Sequence, residues 1–348
     1  MSATEFIPEA KTQADRRASQ HEEHGHGCPV PLRHRSDIAL DSRAVDRRGT
    51  ALRAISVHSL RAVRTDTETL PWWLWWNILS IDAPTVAAVW ALLFAHASGV
   101  RLGAAELIDL SLIVWLIYTG DRLLDGWKVK SLAALQERHR FCARHRVALA
   151  PMSVVAATGI LWLTAEHLTP FETQAGLKLG AIVGAYIAGI HVARGVVARV
   201  APKEIAVGIL FAAGTTLPLW SRSAGLSWDV WVSVILFALL CAVNCLSIES
   251  WENHRSNGAW LGTPQPLVRW VNSRIDAIAT GLAISALVVL FLSGAKASSA
   301  PELWAVSLSA LLIVLLNRGR HRLSRRGLRV LADAALVLPG LLALMIRM

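Results

Sequence analysis

Apolar residues in this chain come in blocks, and the blocks have the length of membrane crossings. After Leu70 nine runs stand out, at about 78–98, 105–120, 147–166, 175–193, 204–221, 229–249, 275–294, 302–317 and 328–346. A helix needs about 20 apolar residues to cross a hydrocarbon core about 30 Å thick, so most runs suffice, while 105–120 and 302–317 are short. Lipid offers backbone N–H and C=O groups no partner, which leaves only helices or closed barrels. The runs lack the in–out alternation of barrel strands. The pattern predicts an all-α polytopic membrane protein with nine transmembrane helices around a central cavity.

The polar stretches divide the chain into a tail, residues 1–70, and a transmembrane domain, residues 71–348. Residues 1–50 are rich in charge, Ser, Gly and Pro and are expected to be disordered. They hold His21-Glu22-Glu23-His24-Gly25-His26-Gly27-Cys28, a tract of metal-binding composition whose spacing completes no zinc site. Residues 51–70 fit a basic interfacial helix, with Leu52, Ile55, Leu60 and Val63 beside Arg53, Arg61 and Arg64. No apolar core follows the start, so no cleavable signal is expected. Trp72, Trp73, Trp75 and Trp76 read as a headgroup-level anchor, and Asp82-Ala83-Pro84 reads as a helix start.

Charge changes the picture by fixing orientation. The net charge is +10, with 54% hydrophobic residues and a mean hydropathy of +0.44. With nine spans and a cytoplasmic N-terminus, only Arg101, Lys178, Arg222, Lys296 and Arg347 of the 35 Lys and Arg residues fall outside. This is the positive-inside pattern, and it reads against nucleic acid as the partner of the basic residues. An integral protein of a bacterial inner membrane is expected, with lipid around it. Cys28, Cys142, Cys241 and Cys245 suggest no disulfide framework.

Two acidic pairs close apolar runs: Asp121 and Asp125 after the second, Glu249 and Glu252 after the sixth. Residues three and four apart share a helix face. Ionisable groups at such depth are costly and mark partners or polar cavities. Both runs travel inward, so both pairs reach the cytoplasmic face, where carboxylates suit Mg²⁺. Capping, or pairing with Arg122 and Arg255, is the structural alternative. Tyr118, Asn244, and Lys203-Glu204 before Gly208, Gly214 and Pro218 add polar or kink-prone positions nearby. Asp333, five residues into the last run, needs a partner such as Arg329. The doubled triplets Arg138-His139-Arg140 and Arg144-His145-Arg146 are suited to clamping a diphosphate or to meeting lipid headgroups.

These positions resemble the UbiA-type intramembrane prenyltransferase superfamily over residues 71–348. The likeness rests on the nine runs, the aspartates after the second, the acids after the sixth, the basic loop, and Lys203…Gly208…Gly214…Pro218. It departs at Ile117 and Tyr118, where the family carries Asn and Asp, and at Glu249, Glu252 and Ser256, where it carries aspartates. The resemblance implies a UbiA-like fold whose Asp121, Asp125, Glu249 and Glu252 hold Mg²⁺ and the diphosphate of a polyprenyl donor. Lys203, Arg138 and Arg140 would touch phosphate, Asn244 would border the substrate, and Trp115, Tyr118 and Trp251 would face the allylic cation. The acceptor is left open. So are two alternatives: a terpene cyclase of the same superfamily, and a non-catalytic membrane protein or transporter.

Overall fold

In the computed structural model, the described residues are 71–128, 141–142, 144–192, 202–222, 225–253, 266–294 and 297–347. The tail, with its His-rich tract and interfacial helix, lies outside them. So do Arg138, Arg140 and the side chain of Asp125. All regular structure among the described residues is helical. After a 3₁₀ turn at Trp72–Leu74 come α1 (Trp75–Ile78), α2 (Asp82–Ala97), α3 (Ala104–Lys128), α4 (Arg146–His167) and α5 (Pro170–Val192). Then follow α6 (Lys203–Thr215), α7 (Leu217–Arg222), α8 (Trp228–Asn253), α9 (Pro266–Asn272), α10 (Ile275–Ser293), α11 (Ala300–Gly319) and α12 (Arg325–Arg347).

Every predicted apolar run falls on a helix or a helix pair. Among the described residues five helices are long and apolar enough to cross a bilayer: α4, α8, α10, α11 (taken on to Arg322) and α12. The α1–α2 pair, bent by 79°, is a sixth if its two pieces make one span. The other three runs fall on α3, α5 and the α6–α7 pair, which are not among these by that measure. Five such helices are compatible with an integral membrane protein.

The core is built around α8, which packs against α6, α10, α11 and α12. Trp90 of α2 stacks on Phe237 of α8 with ring centroids 4.2 Å apart, and Phe94 meets Phe237 edge-on at 5.6 Å. The Trp90 indole N–H donates to the carbonyl of Leu336 at 3.0 Å, one turn before Pro339. Lipid supplies no hydrophobic drive between helices, so small residues that permit close packing set the contacts. At Gly208 a Cβ would lie 2.7 Å from the Ala238 carbonyl oxygen and 2.8 Å from the Ala242 nitrogen. Only glycine lets α6 lie that close to α8. Helix α4 is largely unburied and packs on α3, leaving Val154, Val155, Leu161 and Trp162 outward.

Candidate polar site at one end of the bundle

The site begins with a break in a helix. Leu79, Ser80 and Ile81 separate α1 from α2, and Ser80 adopts a left-handed φ of 60°. A break in an apolar environment orphans backbone carbonyls. Arg122, on α3 and only 4% exposed, supplies the donors. Its Nη1 donates to the Asn77 carbonyl at 2.9 Å and to Ser80 Oγ at 2.5 Å, and its Nη2 stands 3.8 Å from Asp82 Oδ2. A buried guanidinium needs such partners, because an unpaired buried charge is costly. Sequence suggested the acids of its own helix as partners for Arg122; the described contacts are instead with α1 and α2, whose gap it plugs.

Asp121, next to it, faces a different neighbour. Lys203, the first residue of α6, donates to Asp121 Oδ2 at 2.9 Å. Both side chains are partly exposed, 43% for Lys203 and 27% for Asp121. At that exposure such a pair contributes about 0–1 kcal/mol. The second acidic pair divides in the same way. Glu249 accepts from Asn253 Nδ2 at 2.6 Å and lies within electrostatic reach of Glu204 on α6. Glu252 is 7% exposed, and both the Nε–H and an Nη2–H of Arg329 on α12 donate to its Oε1. Glu249 and Glu252 are a turn apart yet serve different helices.

The other expected site residues settle around this end. Trp115 donates its indole N–H to the Leu79 carbonyl at 3.0 Å, which ties α3 to the break. Tyr118 packs on Ala83, Ala87 and Val114. Asn244 Nδ2 donates to Asp333 Oδ1 at 3.3 Å. Trp251 is 5% exposed, packs on Leu328 and Ala332, and donates to Asn317 Oδ1 at 2.9 Å. Asn317 in turn donates to Asp276 Oδ1 at 2.8 Å, and Ser250 Oγ donates to Asn272 Oδ1 at 2.5 Å. The last turn of α8 is thus fastened by side-chain bonds to α9, α11 and α12, and through Asn317 to α10.

The two acidic motifs meet at one end of the bundle, where α2, α6 and α12 begin and α3 and α8 end. The residues that sequence reasoning assigned no shared site are Asn77 and Asp82. Asp82 was legible as a helix start, but nothing in the chain says which arginine meets it. At the opposite end a second ion cluster joins α3, α5 and α7. There Arg222 bonds Glu106, and its Nε–H reaches Glu172 Oε1 at 2.7 Å. Burial opposes charge on Glu172, but the hydrogen bonds from Arg222 and Thr169 outweigh it and hold the carboxyl below its ordinary range.

No family model, no curated protein and no solved structure matches this chain. Function has to be argued from the site itself.

A Mg²⁺ site is the first thing to test against these side chains. Among the described residues no three His, Cys, Asp or Glu side chains stand close enough to share a metal ion. Asp121 already holds the Lys203 ammonium and Glu252 the Arg329 guanidinium. The described acids, so arranged, do not make a Mg²⁺ site. What they make is a set of charge pairs between helices, each with a cation that also suits phosphate.

Proposed function

We propose that this protein is a membrane-embedded, UbiA-like prenyltransferase that takes the diphosphate group of a polyprenyl donor at the polar end of its helix bundle. One observation carries the reading. Two acidic motifs 128 residues apart (Asp121 to Glu249) lie at the same bundle end, each beside a cation from a third or fourth helix. Lys203 and Arg329 are held by carboxylates and are available to exchange them for phosphate oxygens, with the fork geometry of Arg suited to a phosphate group. The allylic C–O bond then breaks with its electron pair leaving on diphosphate. Lys203 and Arg329 stabilise that charge, and the apolar surroundings keep water from the cation. An acceptor nucleophile attacks the cation, or, in a cyclase, an internal double bond does. The nine-span architecture belongs to the same proposal, as does a Mg²⁺ requirement in which the ion would enter bound to the donor's diphosphate rather than on the described acids.

The test is incubation of the purified full chain, in detergent, with allylic diphosphates of several lengths, with Mg²⁺ or with a chelator. Diphosphate release that needs Mg²⁺ and is lost in Lys203→Ala and Arg329→Ala is the expected result. A lipid product made from the donor alone would make it a cyclase. Absence of release with every donor would overturn both enzymatic readings.

The ion pairs themselves favour a second reading, in which Asp121–Lys203 and Glu252–Arg329 are permanent fastenings of a non-catalytic membrane protein or transporter. It expects no release, and it expects the same two substitutions to lower thermal stability.

A further inference from the structure

Basic side chains that meet no acid gather where α9 turns into α10. On α9, Val268 and Val271 are each 2% exposed and face the core, while Arg269 and Trp270 point outward, Trp270 with 51% exposure. A helix with one apolar face and one basic face suits the plane where lipid headgroups meet hydrocarbon, and indoles prefer that level. Arg274, just past α9, lays its guanidinium over the Trp270 ring, 4.9 Å from the centroid. Its Nη1 donates to Ser273 Oγ at 3.0 Å and to the Trp270 carbonyl at 3.5 Å. Those partners are neutral. Among the described residues neither Arg269 nor Arg274 has a carboxylate in ion-pair range.

The end of α11 closes on the same corner. In the turn after it, Arg320 donates to Asn272 Oδ1 at 3.4 Å, and Arg318 donates to Asp276 Oδ2 at 3.2 Å. Asn272 and Asp276 flank Arg274 in sequence, so further arginines stand at this corner. Acids are scarce beside them. Between Asn253 and Arg329 the chain has eight arginines and two acids, and one of these, Glu302, opens α11 at the opposite end. The other, Asp276, is engaged by Asn317 and Arg318. The corner is net positive at headgroup level. Guanidinium groups bind phosphate oxygens through paired N–H groups, and an arginine over an indole keeps its N–H edge for them. A zwitterionic headgroup brings its own cation, for which this corner has no spare carboxylate, whereas a net negative one supplies the charge that is missing. We propose that Arg269, Trp270 and Arg274 form a binding site for the headgroup of an anionic phospholipid. None of the three takes part in the diphosphate reading, so the inference does not rest on it.

The measurement is native mass spectrometry of the purified full chain, titrated in detergent with phosphatidylglycerol or with phosphatidylcholine of the same acyl chains. One basic residue near the surface favours an anionic lipid by about fivefold, so two should favour phosphatidylglycerol by on the order of tenfold or more. Arg269→Gln and Arg274→Gln should each remove about one such factor of five. Trp270→Leu changes no charge but takes away the ring beneath Arg274, and it too should weaken binding. Lys178→Gln removes a charge from α5 and should leave binding as it is. All four side chains are exposed, and each variant is checked as monodisperse. Three results would overturn the proposal: equal retention of the two lipids; unchanged binding in Trp270→Leu, which would leave only the diffuse attraction of a basic surface; or equal losses in Lys178→Gln and Arg274→Gln.

Discussion

Arg122 shows how much one side chain carries. It answers the carbonyl of Asn77, the hydroxyl of Ser80 and the carboxylate of Asp82 from a position with almost no solvent. Arg122→Met should therefore cost about 3–5 kcal/mol, the penalty for leaving the rest of a buried charge network unpaired. Thermal unfolding in detergent will show it, and Arg122→Lys should restore only part, since one ammonium cannot span acceptors spread over three residues. At the other end, Glu172 offers a pH test. Its folded pKa lies below its ordinary value of 4.5, so its contribution is fully present above that pH and lost as pH falls through the lower value. The lead in melting temperature of the unaltered protein over Glu172→Gln should hold above pH 4.5 and shrink below it.

At the scale of helices, contact between α6 and α8 depends on Gly208. Gly208→Ala places a methyl group against backbone of α8, which cannot yield as a side chain would. Destabilisation of about 1–3 kcal/mol is expected. Gly214→Ala is the control, since its Cβ meets only the end of Leu179 at an ordinary 3.6 Å. If both variants melt alike, the close approach at Gly208 is not what holds the pair. Helix positions were legible in the chain because apolar runs of helical length have few other fates in lipid. The break at 79–81 was only half legible. Asp82-Ala83-Pro84 marked a helix start, but no Pro or Gly announced that a helix had just ended, and the cause, Arg122, comes from a separate element.

For the molecule as a whole, hydropathy and charge asymmetry predicted helices and an orientation, and the helices are there. The pairing of charges was not legible, because nothing in the sequence says which acid meets which distant base. Lys203 and Arg329 reach Asp121 and Glu252 across 82 and 77 residues. Orientation is open to a direct check in intact cells. With the native cysteines replaced, Ser324→Cys should be shielded from an impermeant maleimide added outside, and Gly225→Cys should react. The reverse labelling would invert the topology and put the acidic motifs on the outer face. Convergence of those motifs would stand, since it rests on contacts within the bundle.

The plugged break also constrains how this chain enters a membrane. A chain emerging from the ribosome completes the 72–97 segment well before Arg122 has been made. Until then the ends of α1 and α2 face lipid or the insertion machinery with carbonyls unmet. The 72–97 segment and α3 should therefore be released into the bilayer together, as a hairpin. A chain ending after Ala97 would then be retained or degraded, whereas one extended past Lys128 would integrate.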